Sequence, residues 1–174
     1  MRLDSPGPLL VRAWSRLAGL PGGPRVFSWL LGRLVPYTGS VGARVVALEP
    51  GEAEVRLRDR RRVRNHLASV HAVALVNVGE LASGLAILTA LPPGVRGIPI
   101  RLDTEFVRKA RGDITARARF VPPDVTGDTD VVLQVPLHDA SGELVARITA
   151  TWRLRASPKD ERAPLAAAAT AEQA

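Results

Sequence analysis

The sequence contains no cysteine and only three histidines among its 174 residues. Without thiols there is no disulfide, no zinc site built on cysteine and no cysteine nucleophile, and three histidines leave no cluster that predicts a metal site. Aromatic residues make up only 4% of the chain, so few side chains are available to stack on the bases of a single-stranded nucleic acid. We therefore expect chemistry that needs no metal.

Long apolar runs are also missing. No apolar run reaches the roughly 20 residues that span a bilayer. The first eight residues lack the layout of a secretory signal. The sequence therefore predicts a cytoplasmic protein.

The net charge is +7, from 24 basic and 17 acidic residues. Only Lys109 and Lys159 are lysines, so guanidinium groups carry nearly all of the positive charge. These groups bind phosphate through two parallel hydrogen bonds. Because aromatic side chains are so few, we do not expect nucleic acid as a partner. An anionic small molecule that carries a nucleotide fits the charge better.

The chain divides into a flexible N-terminus at 1–8, a helical segment at 9–36, one domain at 37–155 and a disordered Ala-rich tail at 156–174. In the helical segment, apolar residues recur at helical spacing on both sides of a Pro- and Gly-rich break at 21–24. Arginine-bearing amphipathic helices of this kind cover a sheet or pack on a partner subunit more often than they lie on a membrane. Membrane contact is therefore not expected.

Within 37–155, two strands precede an apolar helix from about Val70 to Leu91, and four alternating strands follow it. The helix has no polar face and so belongs in an interior. The sequence therefore predicts an α+β fold in which about six antiparallel strands wrap one long central helix. Dimerisation would cover the edge strands of such a sheet.

The first of the four later strands is an alternating segment, with Ile98, Ile100, Leu102, Thr104 and Phe106 at every second position. A turn at 111–113 leads to the next strand, and short turns between alternating strands favour antiparallel pairing.

Three polar residues interrupt the apolar run at the helix. Asn65 precedes His71 by six positions, and Glu80 follows His71 by nine. A carboxylate in an apolar helix must be paired, protonated or functional. Burial raises the pKa of such a group, which suits it to act as a general base on water or to attack directly.

The whole pattern resembles the hotdog fold, and the helix entrance resembles the acyl-CoA thioesterases of that superfamily. The phenylacetate-degradation type shows Asn, five intervening residues, His-Gly-Gly, and an acidic residue nine positions after the His. Asn65, His71 and Glu80 match these positions. The segments 106–116 and 139–146 are similar to a strand-turn-strand unit and a late hairpin of the same family.

The resemblance is strongest to a hotdog subfamily whose members mostly have no known function, and it covers roughly residues 9–155. This subfamily similarly has a leading helical segment, an entrance like Asn65-His-Leu-Ala-Ser-Val-His71 and a continuation like Glu80-Leu-Ala-Ser-Gly-Leu85. The resemblance implies that Asn65, His71 and Glu80 are the catalytic residues. It also implies no cofactor beyond the coenzyme A of the substrate.

The family's His-Gly-Gly is here His71-Ala72-Val73. The first turn of a helix has unsatisfied N–H groups and the positive end of the helix dipole, which suit a developing oxyanion. We expect the backbone of Val70, Ala72 and Val73 to serve this purpose, with the branched side chain of Val73 narrowing the approach.

Nine residues along one helix correspond to half a turn out of phase and about 13 Å of rise. His71 and Glu80 of one chain therefore cannot meet at one substrate atom. Two helices side by side in a two-fold dimer would bring Glu80 of one chain to the helix start of the other. The predicted assembly is a homodimer or a dimer of dimers, and the resemblance implies the same arrangement.

Structural roles remain open for each of these residues. Asn65 is also a turn residue, with Ser69 as the helix cap, and Glu80 is also a candidate for an ion pair with a nearby arginine. Ser83 and Asn77 are candidate neighbours of the substrate. Two basic clusters are candidates for the coenzyme A phosphates, through Arg61 and Arg64 before the helix and Arg108 and Arg111 after the first later strand.

Hydrolysis of an acyl-CoA thioester is the leading functional prediction. A non-catalytic acyl-CoA or acyl-chain binding protein is the alternative, and Val73 in place of glycine favours it. A hotdog dehydratase would need a loop histidine in a sequence setting that is not found here. A nucleic-acid or membrane-surface role rests on the charge and the first helices alone.

Overall fold

The computed structural model describes residues 6–125 and 127–156, in which four α-helices and six strands follow one another. The helices are α1 (Gly7–Leu17), α2 (Gly23–Leu34), α3 (Pro36–Val41) and α4 (Ala72–Ala90). The strands are β1 (Arg44–Glu49), β2 (Glu52–Leu57), β3 (Val95–Phe106), β4 (Ile114–Arg119), β5 (Thr129–His138) and β6 (Leu144–Ala156). Most of the predicted flexible N-terminus and nearly all of the predicted tail lie outside the described residues.

The helix α4 forms the centre of the domain and contacts all six strands. By length and composition it could span a membrane, but most of it is buried inside the fold, as in the core helix of a soluble protein. At Gly79 a Cβ atom would lie 2.3 Å from Cγ1 of Ile148 on β6. Glycine at this position therefore lets the helix lie directly on the sheet.

The six strands form one antiparallel sheet in the order β1-β2-β4-β5-β6-β3. This confirms the predicted architecture of a long helix held against a six-stranded antiparallel sheet. The predicted pairing across the turn at 111–113 is wrong, because β3 pairs with β6 and β4 lies between β2 and β5. The pairing of β4 with β2 joins their buried faces, with Val55 opposite Ala116 and Leu57 opposite Ile114.

The strand β3 is an edge strand, and most of its apolar residues are exposed. Ile98, Ile100, Leu102 and Phe106 are all exposed, Ile98 to 60%. A bulge between Pro99 and Arg101 interrupts the predicted alternation, so Ile98 lies opposite Arg153 and Leu102 lies opposite Ala150, on different faces of the sheet.

The N-terminal helices pack on the central helix and on β1. α1 contacts α2 and α4, and α2 contacts β1. The rings of Trp14 on α1 and Phe27 on α2 meet edge to face, with centroids 5.2 Å apart. The short helix α3 was not predicted from the sequence. The apolar run at 41–48 predicts a strand that starts at Val41, but Val41 ends α3 and β1 starts at Arg44.

Candidate active site

The carboxylate of Glu80 lies half-buried in the middle of α4, and burial raises its pKa above the ordinary value. Within residues 6–125 and 127–156, no side chain forms an ion pair or a hydrogen bond with this carboxylate. The open alternative of an arginine partner is thus not realised among the described residues. An unpaired carboxylate in such an environment is well placed to accept a proton.

The position of Glu80 divides one face of α4 into two halves. At 100° per residue, Val73, Val76, Glu80 and Gly84 share this face. Val73, in the N-terminal half, is 50% exposed. The C-terminal half lines a cavity of about 750 Å³ beneath α1 and α2, together with Trp152 of β6. The carboxylate therefore stands where an apolar cavity meets an uncovered helix surface.

His71 is the N-cap of α4, with its Nδ1 accepting a hydrogen bond of 3.1 Å from the N–H of Val73. A neutral imidazole with Nδ1 as acceptor carries its proton on Nε2, and the His71 side chain is exposed. The alternative with Ser69 as the cap is wrong, because Ser69 is buried in the preceding loop and donates to Asn65.

The backbone N–H groups at the start of α4 are not equivalent. Val70 donates its N–H to the carbonyl oxygen of Ala110 at 2.8 Å, so the prediction that Val70 binds an oxyanion is wrong. The N–H of Val73 is held by His71. Ala72 has no acceptor for its N–H among the described residues. The Ala72 N–H is thus the free donor at this helix start.

Asn65 organises the loop that leads into α4. Its Oδ1 accepts hydrogen bonds from the N–H of Leu67 at 2.9 Å, from the N–H of Ser69 at 3.2 Å and from the Ser69 hydroxyl at 3.1 Å. This is the turn role that the sequence left open. Asn65 fixes the approach of the chain to His71.

The structure does not bring His71 and Glu80 together within one chain. α4 is continuous from Ala72 to Ala90, so the half-turn offset and the rise of about 13 Å between the two residues are preserved.

Ser83 and Asn77 face the interior of their own chain. The buried Ser83 hydroxyl donates to the carbonyl oxygen of Glu80 at 2.8 Å and accepts from the indole N–H of Trp152 at 3.1 Å. Asn77 donates from Nδ2 to Oγ1 of Thr38 on α3 at 3.1 Å. Ser83 thus fixes Trp152, one wall of the cavity, and Asn77 ties α4 to α3. Trp152 was not among the predicted site residues, because its only signal in the sequence is its place in an alternating strand.

The two basic clusters lie side by side at the start of α4. The carboxylate of Asp59 pairs with Arg64 and also accepts the N–H of Gly112, so it joins the loop before the helix to the loop after β3. Arg108 pairs with Glu143 at 2.8 Å. For the exposed Arg61 and Arg111, no acidic partner is present among the described residues. These two cations remain available to an anion.

Residues 23–154 match the model of a protein family described as a domain of unknown function, DUF4442. A solved structural-genomics protein is 32% identical, with a TM-score of 0.75 over 86% of this chain and 99% of that one. A Pseudomonas aeruginosa protein, described as of unknown function and a probable thioesterase, is 28% identical, with a TM-score of 0.69 over 79% of this chain and 97% of that one.

A variant of the phenylacetic acid degradation protein from Thermus thermophilus is similar in fold. It is 24% identical, with a TM-score of 0.58 over 68% of this chain and 97% of that one. No protein of curated function matches the chain in sequence. These neighbours confirm the hotdog fold and the resemblance to its thioesterase family.

Proposed function

Because the chain belongs to the DUF4442 family and has the hotdog fold, we propose that it hydrolyses acyl-CoA thioesters at a composite site between two copies of the chain. Its relatives support thioester hydrolysis at the level of the family. The observation that carries the proposal is Glu80, an unpaired carboxylate of raised pKa at the boundary between an apolar cavity and an uncovered helix face. We infer that the reaction takes place in the cytoplasm.

The free edge of β3 supports the second copy. Ile98, Ile100 and Leu102 are exposed on a strand that pairs on one side only. Exposed apolar edge strands are templates for pairing with another chain. A two-fold axis beside β3 would extend the sheet across both copies and lay the two α4 helices side by side in opposite directions. Glu80 of each copy would then face the helix start of the other.

The chemistry follows from these positions. The Ala72 N–H and the helix dipole stabilise the negative charge that develops on the thioester carbonyl oxygen. Glu80 of the other copy takes a proton from water, and the resulting nucleophile attacks the carbonyl carbon. The tetrahedral intermediate then expels the thiolate, which takes up a proton to give free coenzyme A and the carboxylic acid. His71 and Asn65 hold the carbonyl group or the water.

The test is thiol release from a panel of acyl-CoAs by the wild-type protein and by Glu80→Gln. We expect wild-type hydrolysis and a loss of kcat of about a hundredfold or more in the variant, because general-base catalysis contributes about that much. Equal, background-level release by both proteins, with acyl-CoA still bound, would overturn hydrolysis and establish the alternative of a binding protein. That alternative is favoured by the His71 cap, which holds the Val73 N–H away from substrate.

A further inference from the structure

The cavity beside Glu80 is built mainly by the N-terminal helices. Its floor consists of buried apolar side chains from α2 and α4, including Phe27, Leu31 and Leu85. Its rim carries Leu9, Leu30 and Leu34, which are exposed in the single chain, Leu34 to 70%. A cavity of about 750 Å³ lies in the usual range of small-molecule sites. This apolar lining selects an apolar occupant.

The lining of the cavity is polar at Glu80, Thr38 and Arg33 and apolar elsewhere. A Cβ atom at Gly84 would lie 3.9 Å from Oε1 of Glu80 and 3.1 Å from the Trp152 ring. The Trp152 indole is fixed by its hydrogen bond to Ser83. The Glu80 carboxylate therefore lies close to the backbone of Gly84, which has no side chain, and to the fixed indole ring of Trp152. An occupant of this cavity has an apolar body and places one end beside Glu80.

A second copy of the chain is a weaker occupant than a flexible ligand. Phe27, Leu31 and Leu85 at the floor of the cavity are buried, and a partner surface would have to insert apolar side chains to reach them. Exposed apolar side chains occur on α2 as well as on β3, but of these two elements β3 alone offers the backbone of a sheet edge for pairing with a second copy. A linear hydrocarbon chain fits both the volume and the apolar lining.

We propose that α1, α2 and the C-terminal half of α4 form an acyl-chain pocket, which makes this protein selective for long, unbranched fatty acyl thioesters. The inference rests on the proposed function and names its substrate class. The thioester carbon lies beside Glu80, and the hydrocarbon runs between α1 and α2 towards Leu30 and Leu34. Each methylene buried in the pocket contributes to binding, up to about a fourfold change in KM.

The test is a chain-length series of acetyl-, butyryl-, octanoyl-, lauroyl- and palmitoyl-CoA. We expect kcat/KM to rise with chain length until the pocket is filled. Ala13 of α1 lines the pocket, and Ala13→Leu fills part of it. This variant should lower the ratio of palmitoyl-CoA to butyryl-CoA kcat/KM about tenfold or more. Ser15→Leu, on the exposed side of the same helix, is the matched control and should leave the ratio unchanged.

A second variant leaves the buried residues of the cavity unchanged. Leu34→Lys alters an exposed rim residue and should raise the KM for palmitoyl-CoA several-fold more than that for butyryl-CoA. Sedimentation of the same variant tests the competing occupant. If Leu34→Lys dissociates the protein while the chain-length ratio stays at the wild-type value, the pocket is an interface between copies and the inference is overturned.

The remaining outcomes separate this inference from the proposed function. Hydrolysis without chain-length preference, or with the same ratio in Ala13→Leu, overturns the pocket while hydrolysis stands. If no acyl-CoA is hydrolysed, displacement of the fluorescent probe dansylundecanoic acid by palmitate decides. Binding that Ala13→Leu weakens and Ser15→Leu does not supports the pocket without hydrolysis, and an absence of binding overturns both.

Discussion

The imidazole of His71 accepts a hydrogen bond from the backbone N–H of Val73, two residues further along the chain, with a Nδ1 to N distance of 3.1 Å. One residue therefore ends the loop, caps the central helix and presents its Nε2 to the surface. The same bond removes the Val73 N–H from the free donors and leaves that of Ala72. Structural and chemical roles of His71 thus need to be separated by experiment.

We expect His71→Ala to lower the free energy of unfolding by about 1 kcal/mol, because the cap of α4 is lost. His71→Asn should restore most of it, since asparagine is among the best N-cap residues. Thermal unfolding measures the stability of both variants, and thiol release measures their activity. His71→Asn should remain inactive if the imidazole contacts the substrate, so an active, stable His71→Asn would assign His71 to the cap alone.

The pH dependence should report Glu80. Because burial raises the pKa of this carboxyl group, kcat/KM should rise with pH through a value above the usual range of glutamate, as the base becomes deprotonated. The free energy of unfolding changes with pH in the opposite direction. The folded state binds the proton more tightly than the unfolded state, so the free energy of unfolding falls as pH rises from the unfolded to the folded pKa.

Glu80→Gln is the control for both profiles. It should remove the pH step in stability and raise the Tm relative to the wild type at neutral pH, by roughly 2–4 °C for each kcal/mol of desolvation cost relieved. At a pH below both pKa values the two proteins should unfold at similar temperatures. A wild-type activity profile that is flat across the acidic range would contradict the role of Glu80 as the base.

Mixing two inactive variants tests the composite site. A heterodimer of His71→Ala and Glu80→Gln has one site with both substitutions and one site with neither. Random exchange at equal amounts should therefore restore about a quarter of the wild-type activity. The control is Glu80→Gln mixed with the double variant, in which no site is intact. Verified subunit exchange without recovery would show that both residues do not act at one intersubunit site.

The exposed strand β3 should hold the two copies together. We expect Ile98→Lys to produce a folded monomer with little activity, because a charge at this edge opposes pairing with a second strand. Val132→Lys is a matched control, since Val132 is also exposed, at 64%, but lies on the interior strand β5. Sedimentation velocity gives the mass and circular dichroism the fold. A dimeric Ile98→Lys protein would place the interface elsewhere.

Arg61 and Arg111 should bind the phosphates of coenzyme A. Their joint replacement by alanine should raise the KM for acyl-CoA about tenfold or more, since two charge-assisted hydrogen-bonding groups are lost. The KM for the matching N-acetylcysteamine thioester, which has no phosphate, should stay the same. Arg119→Ala is the control, because this exposed arginine pairs with Glu52 on the far part of the sheet. An equal effect on both substrates would argue against phosphate binding.

The sequence by itself determined the elements and their order, two strands, one long apolar helix and four strands. Hydrophobic periodicity is a local property of the sequence, and it indicates which side of a helix or strand is apolar and should be buried. It located α4 to within two residues at its start. It also separated His71 from Glu80 by half a turn, because the pitch of a continuous helix fixes this offset.

The partners of each element were decided only by the tertiary structure. The alternation in β3 could not reveal that its apolar residues remain exposed in one chain, because cover depends on which strand comes to lie beside it. The N–H of Val70 is not available to a substrate, because it donates to the carbonyl oxygen of Ala110, which is distant in the sequence. The cavity beside Glu80 arises where α1 and α2 meet α4. Such contacts join residues far apart in sequence, and no local pattern encodes which distant surface will meet which.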